Sequence, residues 1–131
     1  MNLNFIDVYR PYIKSLYDFM VDNGYTVKPY CGIVLNNYKQ DEDLLIKTGY
    51  FDPNKNEINL FINGRHKKDV LRTLAHELIH YKQKMDGVID RSGYRGDKIS
   101  DDSNLIKLEE EAYLNGNIAF RKWTEYLENN I

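Results

Sequence analysis

The stretch TLAHELIHYKQKMDG, residues 73–87, sets the requirements that the rest of the chain has to meet. It contains two of the three histidines of the chain, His76 and His80, and Glu77 follows the first of them directly. Apolar residues around them recur at helical spacing and cover more than one face, which predicts a largely buried helix over about residues 66–86. These residues are Val70, Leu71, Leu74, Ala75, Leu78 and Ile79. Polar side chains are costly to bury without a partner, and a metal ion would be one.

The spacing of the two histidines suits a metal site, because residues i and i+4 lie on one face of a helix, a turn apart. His76 and His80 can therefore bind one Zn²⁺ ion through neutral imidazoles. Glu77 is turned by about 100° from His76 around the helix axis. We expect Glu77 to miss the metal and to act as the general base on a metal-activated water. The alternative is a chance pattern, in which two partly buried histidines hold no metal and Glu77 contacts His80.

A zinc site needs a third protein ligand, and two candidates close to the histidine pair fit poorly. His66 lies ten residues before the first histidine, roughly 15 Å away along the same helix, which is too far. Asp86 lies six residues after the second histidine, as the ligand does in the pattern HExxHxxGxxD. That pattern requires a sharp turn, normally at a glycine, where this chain has Gln83, and the first glycine comes only at Gly87.

The remaining candidates are the three glutamates of the stretch LEEEAYLNGNIAF, on a later predicted helix. Glu109 lies on one stripe with Ala112 and Gly116, three and seven residues further on. These small residues leave little bulk on the stripe, so it can lie close against the helix that carries the histidines. Glu110 and Glu111 point elsewhere, and we expect them to form a solvated acidic face. The sequence thus favours Glu109 as the third ligand.

The rest of the chain predicts an α+β fold with the order helix, sheet, buried helix, loop, helix. Apolar spacing over residues 5–22 predicts a first helix, with its secure part over residues 11–22 after Pro11 in a first turn, closed by Gly24 as a left-handed cap. Three short stretches rich in β-branched and aromatic residues then predict a small, mainly antiparallel sheet of about three strands. They are residues 25–37, 44–52 and 57–62. DPNKN at 52–56 predicts a turn between the last two. Polar residues 88–103 predict a loop, and a helix follows over about residues 104–128.

Composition limits the classes of function. The chain has 131 residues with 42% hydrophobic and 29% charged side chains, as in a globular domain with a modest core. Its formal net charge of −2 argues against a nucleic-acid binder driven by bulk charge. Its single cysteine, Cys31, cannot form an internal disulfide or build a zinc finger, and we expect a buried thiol.

One local basic cluster remains, at the start of the histidine-bearing helix. Its members are Arg65, Lys67, Lys68 and Arg72. The plainer interpretation is a solvated helix start, and the other is a contact for an acidic partner or nucleic acid. The sequence shows no leader and no apolar run long enough for a membrane span, so we expect a cytoplasmic protein with no membrane partner. The many Tyr, Asn, Lys and Ile residues suggest an AT-rich genome, such as that of a phage, in which case the compartment is the host cytoplasm.

The motif HExxH followed by ExxA on a later helix resembles the gluzincin type of zincin metallopeptidase. More narrowly, it is similar to the small zincins of phages and bacteria, including SprT-like and ImmA/IrrE-like proteins. The resemblance covers about residues 44–123 and implies one zincin-like metallopeptidase domain over residues 1–131, with one Zn²⁺ per chain and Glu77 as the base. By this resemblance the metal ligands are His76, His80 and Glu109.

The chain departs from the thermolysin-like pattern at Tyr113. Those gluzincins have an aspartate at this position, four residues after the ligand glutamate, and it orients a histidine ligand. The group that would stabilise an oxyanion is also open, with Tyr94, Arg95 and Tyr113 as candidates.

Two functions compete on this reading of the sequence. The first is a zinc-dependent peptidase acting on a protein or peptide substrate. The second is a catalytically silent zinc-binding module with a zincin fold, acting in protein or DNA interaction or in sensing. Glu77 favours the enzyme, since a purely structural zinc site needs no base and prefers a fourth protein ligand. A metal-free interaction protein is the third possibility, if the pattern is chance. The sequence leaves the substrate and the oligomeric state open.

Overall fold

The computed structural model of the chain describes residues 5–41, 46–88 and 103–129. Within these ranges it is an α+β fold with three helices and one three-stranded sheet, as the sequence predicts. The elements in chain order are α1 (Phe5–Asp22), β1 (Gly32–Asn36), β2 (Gly49–Asp52), β3 (Glu57–Phe61), α2 (Lys67–Met85) and α3 (Ser103–Asn129). None of the helices in the described part of the chain has an apolar stretch long enough to cross a membrane.

The first helix covers the whole range of helical spacing and begins before its secure part. Residues before Pro11 already belong to α1, so this proline lies inside the helix and not in its first turn. Tyr9, two residues earlier, is buried in the core, which gives this early part of the helix a packing partner. Gly24 has a φ of +79°, which confirms the predicted left-handed residue after the helix end.

The sheet is mixed and not mainly antiparallel. Its strand order is β1-β3-β2, and β2 pairs antiparallel with β3, with Gly49 opposite Leu60. The predicted turn between these two strands accounts for that hairpin. β1, however, pairs parallel with β3, with Gly32 opposite Glu57. The prediction was wrong for this pair because turn residues specify only sequential strands, and no local pattern reports the direction of a pair that skips a strand.

α2 is the central element and contacts α1, α3, β2 and β3. The six apolar residues that predicted a buried helix are all buried, each with at most 2% of its surface exposed. They pack into one core with residues of α1, the sheet and α3. This central position explains why α2 can carry polar side chains that are shielded from water on several sides.

α3 lies directly against the backbone of α2, as the small residues of its sequence predict. Ala112 is completely buried. A Cβ atom added at Gly116 would lie 3.0 Å from the Cα and 3.1 Å from the backbone N of His76. Because any side chain at position 116 would push the helices apart, glycine sets the distance between the two helices at the first histidine.

Buried polar groups connect the segment between α1 and β1 to α2 through hydrogen bonds. Thr26 Oγ1 donates to the backbone carbonyl of Leu78 at 2.8 Å, and the Tyr81 hydroxyl donates to the carbonyl of Pro29. The Tyr17 hydroxyl accepts from the backbone N–H of Cys31 at 2.9 Å and donates to its Sγ at 3.3 Å. We call Tyr17, Thr26, Cys31 and Tyr81 the tyrosine–cysteine cluster. Its thiol is buried, as predicted.

Candidate metal centre

The three predicted ligands come together where α3 crosses α2. Nε2 of His76 lies 2.7 Å from Oε1 of Glu109, and Nε2 of His80 lies 3.4 Å from Oε2 of the same carboxylate. The two imidazole rings are 4.9 Å apart between centroids. All three potential ligand atoms lie within 4.8 Å of one another. Tetrahedral zinc ligands are roughly 3.3 Å apart, so small side-chain adjustments suffice for one ion to contact all three.

The donor set fits a catalytic type of zinc site. Two imidazole nitrogens and one carboxylate oxygen are the ligands of many catalytic sites, in which the fourth position stays open. We call His76, His80 and Glu109 the ligand cluster. The side chain of His80 is 0% exposed, whereas those of His76 and Glu109 are 20% and 25% exposed. The cluster is therefore closed behind His80 and open to solvent on the side of the other two residues.

Electrostatics within the ligand cluster favour positive charge. Burial alone would raise the pKa of Glu109, but hydrogen bonds with His76 and His80 outweigh it and lower this pKa to about 2. Burial lowers the pKa of His80, and the carboxylates of Glu109 and Glu77 outweigh it, so this pKa is raised. The two carboxylates thus favour positive charge at the buried imidazole, and a divalent cation would satisfy the same negative charge more fully.

Glu77 lies beside the ligand cluster and does not belong to it. It is only 5% exposed and lines the cleft in front of the cluster. Burial raises the pKa of its carboxyl, while the neighbouring imidazoles of His80 and His76 act in the opposite direction. A carboxylate with a raised pKa accepts a proton more readily than a solvated one, which suits a general base.

The cleft has a volume of about 1200 Å³ and runs between the sheet and the two long helices. Residues 46–54, which include all of β2, form one wall. His76, Glu77, Glu109 and Tyr113 line it where the ligand cluster opens. β2 is an edge strand, because it is last in the strand order β1-β3-β2. The cleft therefore brings together the outer edge of β2, which pairs with no other strand within the described residues, a potential base and the three potential ligands.

The other two ligand candidates, His66 and Asp86, make their contacts at the ends of α2 and not at the ligand cluster. His66 is the N-cap of α2, and its Nδ1 accepts from the backbone N–H of Lys68 at 3.1 Å. Asp86 is the C-cap of the same helix and forms a 2.6 Å ion pair with Lys82. Neither belongs to the ligand cluster. The sequence disfavoured both as ligands, and in the structure they cap the two ends of α2.

The two other glutamates of the triplet differ from each other. Glu110 is exposed, as expected for a solvated acidic face. Glu111 is also exposed, but its Oε1 accepts a hydrogen bond of 3.0 Å from Nε2 of Gln83. Of the three candidates for an oxyanion partner, Tyr94 and Arg95 lie outside the described residues. Tyr113 packs edge-on against His76, with the ring centroids 4.6 Å apart.

Three members of the basic cluster are engaged with the protein itself. Lys67 Nζ lies 4.3 Å from the centroid of the Tyr12 ring. Arg65 donates to the backbone carbonyls of Thr48, Phe61 and Asp69 and to Thr73 Oγ1, which locks the start of α2 to the sheet. Arg72 pairs with Asp69 at 3.1 Å and lies over the ring of Phe120. These contacts favour the structural interpretation of the cluster. A nucleic-acid or acidic partner at these residues remains a hypothesis from the sequence.

Sequence reasoning missed Gln83 as a functional residue. Its side chain is 2% exposed, and its Oε1 lies 2.8 Å from Nδ1 of His80. The signal was present in the sequence, because Gln83 follows His80 by three residues and therefore shares its helix face. An amide on the buried face of a helix needs hydrogen-bond partners, and the imidazole of His80 next to it is one.

Comparison of the chain with protein-family models, with curated proteins and with solved structures finds no match. The resemblance to small zincins therefore stays a prediction from the motif.

Proposed function

We propose that the protein is a zinc-dependent peptidase. The observation that supports this most directly is the convergence of His76, His80 and Glu109 beside the buried Glu77, where the cluster opens onto a cleft. A purely structural metal site would be closed by a fourth protein ligand. A ligand cluster that opens onto a cleft and has a potential base beside it is better suited to turnover.

The ligand cluster would hold the ion, with two ligands from α2 and one from α3. When bound, Zn²⁺ would supply positive charge that polarises the scissile carbonyl and makes water easier to deprotonate. The remaining chemistry falls to Glu77. Its carboxylate would take a proton from the attacking water and deliver it to the nitrogen of the leaving amine as the C–N bond breaks. Glu77 would end the cycle in the form in which it began.

The cleft supports an extended peptide as substrate. β2 forms one wall and has its outer edge free within the described sheet, so a peptide could pair with it through backbone hydrogen bonds. Such pairing holds a substrate straight and reads little of its sequence, since most contacts are made to the main chain. We therefore propose a flexible, extended segment of a protein as the substrate class.

The experiment that tests the proposal compares wild-type protein with a Glu77→Gln variant on a broad peptide library in the presence of zinc. The substitution keeps the size of the side chain and removes the base. We expect equal zinc content and a loss of cleavage of roughly 10²-fold or more, the usual scale for a lost general base. Glu110→Gln is the matched control, because it makes the same change at an exposed glutamate of α3.

Two results would contradict the proposal in different ways. If Glu77→Gln loses zinc, Glu77 is a metal ligand and the assignment of roles is wrong. If the variant keeps zinc and also keeps the biological activity of the wild type, the protein is a metal-binding module without turnover.

A further inference from the structure

Gln83 connects the two helices that carry the ligand cluster. It lies on α2, three residues after His80, and its side chain reaches α3 at two points. Nε2 donates to the backbone carbonyl of Leu108 at 3.0 Å and to Oε1 of Glu111 at 3.0 Å. Oε1 lies 2.8 Å from Nδ1 of His80. A nearly completely buried amide thus uses both ends, one toward α3 and the other toward a potential metal ligand.

The contacts with α3 determine which way the amide faces. The oxygen and nitrogen of a glutamine are hard to tell apart by shape, so the hydrogen-bond partners have to decide. A backbone carbonyl such as that of Leu108 can only accept, and the carboxylate of Glu111 also accepts when ionised. Only the NH₂ group of Gln83 can satisfy both. Its oxygen must then face His80.

The orientation of the amide in turn determines the tautomer of His80. An amide oxygen only accepts hydrogen bonds, so Nδ1 of His80 has to carry a proton and donate it to Gln83. When the ring is neutral, the 2.8 Å contact with Gln83 favours the proton on Nδ1 over the longer, 3.4 Å contact of Nε2 with Glu109, and the lone pair is then on Nε2. We propose that Gln83 is a positioning residue that holds His80 in the Nδ1–H tautomer and directs Nε2 toward the ion.

The same side chain also positions the third ligand. Leu108 directly precedes Glu109 on α3, so the hydrogen bond to its carbonyl fixes the turn from which Glu109 projects. The effect of Gln83 on zinc affinity rests on the proposed function, whereas the tautomer of His80 can be measured without zinc.

The direct test is a long-range ¹H–¹⁵N NMR correlation spectrum of the histidine rings. We expect His80 to carry its proton on Nδ1 in metal-free protein, at a pH where the ring is neutral, and to keep that proton after zinc is added. A neutral His80 with its proton on Nε2 would overturn the proposal. So would zinc bound through Nδ1. If wild-type protein takes up no zinc, the proposed function fails, and the metal-free spectrum still decides the role of Gln83.

Zinc affinity provides the second test. Gln83→Met keeps the length of the side chain and removes every hydrogen bond, and we expect zinc affinity to fall roughly 10- to 100-fold in competition with a chelator. Gln40→Met is the matched control, because Gln40 is the only other glutamine and bonds to the backbone of Lys47. Wild-type affinity in Gln83→Met would overturn the proposal.

A double variant keeps the proposal testable if Gln83→Met does not fold. Gln83→Glu combined with Glu111→Gln exchanges the carboxylate and the amide, so that position 83 still accepts from His80 and position 111 donates in its place. We expect this variant to keep the Nδ1 proton of His80, while its zinc affinity falls because the carboxylate at position 83 cannot donate to the Leu108 carbonyl. A proton on Nε2 in its neutral His80 would contradict the role assigned to position 83.

Discussion

Two buried polar clusters lie on opposite faces of α2, and they differ in charge. The tyrosine–cysteine cluster meets this helix at the Leu78 carbonyl and at Tyr81, whereas the ligand cluster lies around His76 and His80. At 100° per residue, these two pairs of positions are separated by roughly half a turn of the helix. One helix therefore supports two polar regions that have to be stabilised independently.

The tyrosine–cysteine cluster is neutral and complete in itself. The hydroxyls of Tyr17, Thr26 and Tyr81 each donate to an acceptor nearby, and Tyr17 also accepts the backbone N–H of Cys31. Burial raises the pKa of the Cys31 thiol, with the Tyr17 hydrogen bond acting in the opposite direction, so the group stays protonated at neutral pH. Such a cluster fixes a loop to a helix and needs no ligand.

The ligand cluster, with Glu77 beside it, contains charged groups, whereas the tyrosine–cysteine cluster is neutral. Glu109 and Glu77 surround two imidazoles, and the low pKa of Glu109, about 2, shows how strongly this carboxylate is held in its charged form. Negative charge in a partly buried site is stable only when a cation accompanies it. The comparison teaches that burial of polar groups alone does not indicate a metal site. Convergent ligand atoms with an excess of negative charge do.

Removal of one candidate ligand should have the largest effect, and this effect should be confined to the ligand cluster. We expect His80→Ala to reduce the zinc content of purified protein from one ion per chain to well below one, because a single imidazole and a carboxylate bind zinc too weakly. Elemental analysis after gel filtration measures this. His66→Ala is the control and should keep its zinc, since His66 caps α2 away from the site. Full zinc content in His80→Ala would place the ion elsewhere.

Chelation should be the next largest effect. Zinc binding joins α2 and α3, so its free energy is shared with folding. At a free zinc concentration about a thousand times Kd, the stabilisation is about 4 kcal/mol, or roughly 15 °C in melting temperature. Thermal melting with and without a strong chelator checks this. A Tyr17→Phe variant should show the same chelator-dependent shift, and a smaller one would mean that the two clusters are coupled.

Gly116→Ala should affect the ligand cluster through packing alone. The added methyl group would lie 3.0 Å from the Cα of His76, so α3 has to move away and take Glu109 with it. We expect zinc affinity to fall about 10-fold and stability by about 1–2 kcal/mol after the better helix propensity of alanine is counted. Chelator competition and urea unfolding measure the two effects. Asn117→Ala, at the next and exposed position, should change neither.

Tyr17→Phe should have the smallest effect and leave the zinc site untouched. It removes the acceptor of the Cys31 backbone N–H and costs about 1 kcal/mol. It also removes the hydrogen bond that lowers the pKa of Cys31, so this pKa rises further and less thiolate is present at any given pH. Alkylation of the native protein followed against pH should then require a higher pH than in wild type. Faster alkylation would show that the loop had opened instead.

The ligand cluster could be predicted because it depends on local spacing. The helix periodicity that gives α2 also sets the distance between His76 and His80, and the small residues Ala112 and Gly116 indicate which face of α3 lies against it. Glu109 follows from that face. Each of these inferences uses residues within one helix, where a period of 3.6 residues fixes direction.

The features that could not be predicted from the sequence depend on contacts between distant segments. The parallel pairing of β1 with β3 joins strands that are not consecutive, and no turn between them records it. Gln83 is visible as a polar residue on a buried face, but its role depends on which atoms of α3 it meets. Those atoms belong to Leu108 and Glu111, at the other side of a helix contact.

The division of the ligands between α2 and α3 has a consequence for the timing of activity. His76 and His80 precede α3 in the chain, so during synthesis they are present before Glu109 exists. A nascent chain that has not yet docked α3 offers at most two ligands and a poorly held ion. The proposed peptidase would therefore acquire its activity only after the fold is complete, which protects an unfinished chain and its neighbours on the ribosome from cleavage.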